Sequence, residues 1–215
     1  VNGNIMSLIY GDDFKEKYTT IPFAVYRSYR IKGTKEEVIS HYHSEIELIS
    51  VTEGSAVFYI NSKRLQLRKG DILIIPPYAI HRAYTEEDEI SSYDCICFDL
   101  QLLCDEQLRN GLNSQKSSIS QIIRNAESVA EKLQEYIKNA MIACERKDVG
   151  WELEAIGNMS LLFAFLKANN CFSETFENSK DVEFAKKVLT YITNNIEVSV
   201  SSKDVAKELY MNHSY

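Results

Sequence analysis

Glycine and proline are scarce in this 215-residue sequence, at eight and three residues. That scarcity excludes collagen-like and low-complexity chains. No two glycines form a Gly-x-Gly pair, so neither a dinucleotide fingerprint nor a phosphate-cradling loop can be drawn. A Ser-His-Asp arrangement is equally absent, and no catalytic residue is assigned. No apolar run is long enough to cross a bilayer, and the N-terminus lacks a basic region followed by an uninterrupted apolar stretch. No membrane association and a cytoplasmic location are therefore expected. The five cysteines, Cys95, Cys97, Cys104, Cys144 and Cys171, are odd in number and include no Cys-x-x-Cys pair, which argues against a disulfide framework or a zinc ribbon. Reduced, buried thiols are the ordinary reading, although Cys95 and Cys97 share one strand face where a thiol sensor is conceivable. Positive charge is short as well: the net charge is -7, whereas phosphate contacts need clustered Lys and Arg. From Lys180 to Tyr215, however, five lysines (180, 186, 187, 203, 207) balance five acids (181, 183, 197, 204, 208), so the whole deficit precedes Lys180.

What is present begins as short strands. Met6 to Tyr10 and Pro22 to Ile31 alternate in strand fashion, and either face of the second could be the inner one. Glu45 to Val51, Ser55 to Ile60 and Lys63 to Leu67 follow, joined at Glu53-Gly54 and Asn61-Ser62 by turn-compatible residues. Ile72 to Ile75 is fully apolar and ends at Pro76-Pro77; Ser91 to Leu100 is the last strand, with Tyr93, Cys95, Cys97 and Asp99 on one face. Short antiparallel strands with regularly spaced turns indicate a sandwich or barrel.

Three of the four histidines fall among these strands. In His41-Tyr42-His43-Ser44-Glu45-Ile46-Glu47 the two histidines lie two apart, and His81 closes the block Gly70-Asp71-Ile72-Leu73-Ile74-Ile75-Pro76-Pro77-Tyr78-Ala79-Ile80-His81. Residues two apart on a strand share a face, so His41, His43 and Glu47 can converge from one wall while His81 approaches from another. Two His, a Glu and a third His are a ligand set for iron, manganese, nickel or zinc. The same imidazoles could instead hydrogen-bond an effector hydroxyl or carboxylate. In a metal-free site Glu47 would favour a charged imidazole at His41 or His43.

After Leu100 the period changes. Apolar residues from Ile119 through Ile123, Val129, Leu133, Ile137 and Met141 to Cys144 recur at helical spacing, predicting one long amphipathic helix; a second runs from about Trp151 to Lys167. The polar stretch 173–180 reads as a linker. Asp181 to Asn194 is a helix, Ser201-Ser202 caps a short one from Lys203 to Leu209, Tyr210-Met211 turns, and Asn212 can cap another beginning at His213. This is the helix-turn-helix order, with small Ala206 at the crossing.

The spacing His-x-His-x-x-x-Glu followed by Gly-x5-Pro-x4-His resembles the two motifs of the cupin barrel, with Tyr78 where many cupins carry Gly and Thr85 where the second motif often ends in Asn. Together with the helical C-terminal third, the chain resembles the AraC/XylS family of bacterial transcription regulators. The resemblance implies an α+β fold: a cupin-like effector-binding barrel (double-stranded β-helix, or jelly roll) over 1–105, a helical dimerisation region over 106–172, a linker over 173–180 and an incomplete helix-turn-helix over 181–215. It implies a small-molecule effector such as a sugar or organic acid, promoter DNA as partner of the full-length protein, and a homodimer, although the two long helices could simply cover the barrel of one chain. No cofactor is expected by this reading, a divalent transition metal at His41, His43, Glu47 and His81 being the alternative state of the cluster. The expected effector walls are His41, His43, Glu47, Ile49, Tyr59, His81 and Tyr93; the expected DNA-facing residues are Ser202, Lys203, Asn212, His213, Ser214 and Tyr215. The competing reading is a metal-dependent cupin enzyme, an oxygenase or isomerase, using the same four ligands.

Overall fold

A computed structural model of the chain describes residues 21–32, 38–86, 89–113, 117–119, 121–174, 180–195 and 200–210. Among the described residues eight strands come first: β1 (Phe23–Lys32), β2 (Val38–His41), β3 (Ile46–Glu53), β4 (Ser55–Ile60), β5 (Lys63–Arg68), β6 (Ile72–Ile75), β7 (His81–Tyr84) and β8 (Ile90–Phe98). A 3-10 turn (Leu100–Leu102), helix α1 (Glu106–Asn113), β9 (Ser117–Ile119) and β10 (Ile122–Ile123) lead to α2 (Ala130–Arg146) and α3 (Trp151–Ala168). β11 (Phe172–Glu174), α4 (Lys180–Asn194) and α5 (Ser202–Glu208) complete the described chain. The strands form a five-stranded sheet in the order β1-β8-β3-β6-β10 facing a four-stranded sheet in the order β2-β7-β4-β5, while β9 and β11 pair separately. All described pairings are antiparallel. This is a cupin-like jelly roll within an α+β chain.

The five-stranded sheet is covered on both faces, which explains why Ile46 to Ile49 and Ile72 to Ile75 are buried without alternation. One face, with Ile49, Val51, Leu73, Ile75, Tyr93, Cys95 and Cys97, joins Phe58, Ile60 and Leu67 of the opposing sheet to fill the barrel. The other face, with Ile46, Leu48, Ile72, Ile74, Ile96 and Phe98, packs against α1, α2 and α3, where Phe98 and Phe163 meet edge to face at 5.9 Å. Two backbone positions fix the turns around this layer. Gly54 has φ +69°, and a Cβ there would lie 2.0 Å from the Ile90 carbonyl oxygen. Gly70 has φ +88°, and a Cβ would meet the Asn125 side chain at 2.4 Å. In β1 the register slips between Tyr26 and Tyr29, where Ser28 N–H donates to Asp94 Oδ1 at 2.9 Å; this bulge decides which side chains enter the barrel.

The helical region differs from the sequence expectation in three places. The helix expected from Ile119 starts only at Ala130, because Ile122 and Ile123 add an edge strand to β6 opposite Leu73 and Ile72. β-Branched neighbours favour that use. The chain then turns at Arg124 and Asn125, which bind Asp71: Arg124 Nη1 at 2.7 Å and Asn125 N–H at 3.0 Å. Second, α1 was not anticipated; Leu108 and Leu112 anchor it, and Asp105 accepts from the Leu108 N–H at 2.9 Å. Third, Ser173 and Glu174, expected in the linker, are strand residues opposite Ser118 and Ser117. At α5 the expected cap is present in full: Ser201 and Asp204 form a reciprocal capping box. The expected strand from Met6 to Tyr10 and the residues Asn212, His213, Ser214 and Tyr215 lie outside the described residues.

Candidate functional site

The antiparallel pairing of β2 with β7 sets His41 opposite His81, and β3 brings Glu47 to the same end of the barrel. His41, His43, Glu47 and His81 are all buried, and their ligating atoms lie within 4.8 Å of one another. The three rings form a tight cluster, with centroids 4.0 Å apart for His41 and His81, 5.0 Å for His43 and His81 and 5.7 Å for His41 and His43.

The backbone orients each ring. His41 Nδ1 lies 2.7 Å from the Ile39 carbonyl, His81 Nδ1 2.9 Å from the Ala79 carbonyl, and His43 Nδ1 3.1 Å from the Glu45 carbonyl. A carbonyl only accepts, so Nδ1 of each ring carries a hydrogen; a neutral ring then keeps an Nε2 lone pair, and only a ring protonated on both nitrogens can donate from Nε2. Those Nε2 atoms turn inward. His43 Nε2 is 3.3 Å and His81 Nε2 3.1 Å from Glu47 Oε2, and neither the buried His41 Nε2 nor the buried His81 Nε2 has a hydrogen-bond partner among the described residues.

The electrostatics follow from this geometry. Burial and then the neighbouring His81 push the His41 imidazole well below its ordinary value, so the neighbouring Glu47 does not make His41 the charged ring. Burial works against the Glu47 carboxylate, but His43 and His81 beside it, whose Nε2 atoms can donate once protonated, outweigh it and hold the carboxyl well below the usual range. Lone pairs and an anionic oxygen aimed at one centre repel one another. A proton on an Nε2 or a cation at the centre removes that repulsion, and the second option suits the donor set. Nδ1 hydrogen bonds to backbone carbonyls are also the support that metal-binding imidazoles require.

The sequence reading missed one neighbour of the cluster. Cys95 Sγ donates to Glu47 Oε1 at 3.0 Å, and Cys97 Sγ lies 3.6 Å from Cys95 Sγ. The signal was available, since Tyr93, Cys95 and Cys97 share a strand face. Burial first, and then Cys97, push the Cys95 thiol well up, and burial pushes Cys97 up to about 12, so both stay protonated and unreactive at neutral pH. That opposes the thiol-sensor reading.

The other expected walls divide. Ile49 and Tyr93 face the barrel interior, opposite Cys95 and Val51 on the neighbouring strands, with Tyr93 edge to face on Phe58 at 5.8 Å. Tyr59 does not: it lies on the outer face, stacked on Tyr84 at 6.2 Å with the Arg82 guanidinium 4.3 Å from its ring centre. Phe58 takes the inward position because β4 pairs with β7 in the register Phe58↔Ala83. Ser202 and Lys203 are exposed at the start of α5.

Comparison with known proteins places these features. The profile of a family described as the AraC-like ligand binding domain matches residues 28–163, well over half of the chain. A curated relative, the uncharacterized HTH-type transcriptional regulator YdeC of Bacillus subtilis strain 168, is 19% identical over 193 residues, covering 87% of this chain and 66% of the relative. The chain thus spans just under two thirds of that relative. Among solved structures, the AraC-like transcriptional activator CuxR is 11% identical with TM-score 0.47, covering 92% of this chain and 69% of that one. A Cupin 2 conserved barrel domain protein from Salinispora arenicola CNS-205 is 18% identical with TM-score 0.33, covering 46% of this chain and 77% of that one.

Proposed function

The chain belongs to the family of AraC-like ligand-binding domains, and on that premise we propose that it is the sensing part of a ligand-responsive transcription regulator, with His41, His43, Glu47 and His81 as a divalent-metal site inside the sensing barrel. The observation that carries the site assignment is the convergence of three backbone-tethered imidazoles on a buried carboxylate, with the Nε2 atoms of His41 and His81 left without a hydrogen-bond partner among the described residues. A bound cation would supply a Lewis-acidic anchor for a hydroxyl or carboxylate of the effector. Ile49, Tyr93 and Cys95, buried beside the cluster, would then form the apolar surroundings of that anchor.

The effector acts only through differential affinity for two arrangements of barrel and helices. Promoter DNA would be read by the helical unit that begins with α4 and α5, in which Ser202, Lys203 and the residues from Asn212 to Tyr215 are assigned to DNA. Dimerisation belongs to α3. Its inner side, with Ala155, Met159, Leu162, Phe163 and Leu166, is buried in the core, yet Leu153 is 77% and Leu161 53% exposed on the outer side. Gly157 lies between these leucines at helical spacing, with nothing within 4 Å of a Cβ built on it. A second copy of the same helix fits such a surface, and a two-fold regulator reads two half-sites.

The functional test is a thermal-shift screen of sugars and organic acids on metal-loaded and chelator-treated chain. A hit whose stabilisation needs both the metal and an intact His41 supports the reading. Turnover of a small substrate at the cluster would replace it with the cupin-enzyme reading.

A further inference from the structure

The helix-facing side of the five-stranded sheet changes character along its strands. In β3 the buried residues Ile46 and Leu48 are followed on the same side by Ser50 and Thr52; in β8 Phe98 and Ile96 give way to Asp94, directly opposite Ser50. Where the apolar rows end, α2 no longer seals the sheet, and a cavity of about 520 Å³ lies between them with Ile137 and Met141 of α2 on its apolar side. Polar groups shielded from water are costly unless they meet a polar partner, so a polar molecule fills this space better than an apolar side chain.

The uncommitted groups around the cavity are donors. The β1 bulge brings Arg27 to the rim, where its Nε lies 3.1 Å from Asp94 and its Nη1 3.0 Å from Glu145 of α2. Asp94 also accepts from the Ser28 N–H at 2.9 Å, so the carboxylate in the lining is already matched. Lys69 approaches from the turn between β5 and β6 and Lys138 from α2; both are exposed, and neither ammonium makes a hydrogen bond or ion pair among the described residues. Asn125 presses on Gly70, where a Cβ would lie 2.4 Å from its side chain, and its Oδ1 accepts from Gln134 at 3.4 Å, which leaves Nδ2 to donate beside the Ser50 hydroxyl.

We infer that this cavity is a ligand site, separate from the barrel interior, for the phosphate monoester of a small polyol. Arg27, Lys69 and Lys138 outnumber Asp94 in the lining and Glu145 at its edge, and the two uncommitted ammonium groups suit a doubly charged head. The polyol hydroxyls find an acceptor in Asp94 and donors in Ser50 and Asn125, and its carbon chain rests on Ile137 and Met141. A molecule so held touches the sheet, the turn at Gly70 and α2 at once, and therefore favours the arrangement that joins them. None of its contacts belongs to the histidine cluster, so the two sites stand or fall separately.

The test is titration calorimetry on the whole 215-residue chain, with glucose-6-phosphate and glycerol-3-phosphate as probes and glucose, glycerol and inorganic phosphate as controls. At least one ester should bind with a Kd of about 1 mM or tighter, and about tenfold or more tightly than its parent polyol and than inorganic phosphate. Lys69→Gln combined with Lys138→Gln should weaken that ester at least about tenfold and abolish its advantage over the polyol. The melting temperature should not change, because neither ammonium has a partner to lose. The matched pair Lys32→Gln with Lys63→Gln, outside the lining, should keep full affinity. The two single substitutions decide the matter should the Lys69 and Lys138 pair fail to fold, and cobalt uptake at the histidine cluster should be unaffected throughout. The inference is overturned if neither ester binds below about 10 mM, if the polyols or inorganic phosphate bind as tightly as the esters, or if loss of Lys69 and Lys138 weakens binding no more than the matched pair does.

Discussion

Replacing Glu47 by Leu separates a site kept for binding from one kept for stability. Glu47 is 1% exposed, accepts from Cys95 Sγ at 3.0 Å and lies 3.3 and 3.1 Å from the Nε2 atoms of His43 and His81, which can donate when protonated. Hydrogen bonds to a charged acceptor contribute about 1.5–3 kcal/mol each. Burying the carboxylate costs several kcal/mol, so the two contributions come close to cancelling. Leucine of similar volume adds about 1.5–3 kcal/mol of apolar burial. At His41 it leaves no uncompensated charge, because that ring is already neutral by burial. The chelator-treated Glu47→Leu variant is therefore expected to equal the native chain in stability or exceed it by about 1–2 kcal/mol, within the range seen when buried ion pairs become apolar. Urea unfolding followed by circular dichroism, with equal slopes for the two proteins, measures the difference. A loss of 3 kcal/mol or more in the metal-free variant, the order seen when a buried pair is broken, would show that the cluster is a structural network and refute the reasoning.

Other expectations follow from the same structure. Gly54→Ala forces a Cβ toward the Ile90 carbonyl at a positive φ, and should cost about 2–4 kcal/mol; Gly157→Ala, with open space at its Cβ, should instead stabilise by about 0.5–1 kcal/mol, both read from urea midpoints. His41 is held neutral below its ordinary value, so below about pH 6.5 the unfolded chain binds a proton that the folded chain refuses. The stability of the metal-free protein should accordingly fall as pH drops from about 7 to 5, and His41→Gln should flatten that slope in unfolding midpoints measured across the interval. Leu153→Glu combined with Leu161→Glu should convert a dimer to a monomer in sedimentation while leaving the fold intact; an unchanged mass would remove α3 as the interface.

Much of this architecture was legible in residue pattern. Strands β3, β4, β5, β6 and β8 were readable from short apolar runs separated by Gly54, Asn61 and Gly70, and the histidine spacing placed three rings and a carboxylate on converging walls. β2 and β7 were not, because at four residues each, Val38–His41 and His81–Tyr84, they are too short and polar to show a period. Tyr59 was put on the wrong face because Ala56 to Ile60 is apolar throughout, which leaves strand parity to be decided by pairing with β7. The stretch from Ile119 to Val129 carries a helical period by chance of its isoleucines; an open edge of β6 captures Ile122 and Ile123 first. The contact of Arg27 with Glu145 joins residues 118 positions apart and leaves no trace in local pattern.

Cobalt titration of the chelator-stripped chain, followed by visible absorption and checked by competition with zinc, addresses the buried cluster directly. One ion taken up per chain, with uptake lost in Glu47→Leu and in His41→Gln, is the result expected of a metal held by His41, His43, Glu47 and His81. No uptake, or uptake that survives both substitutions, would contradict it.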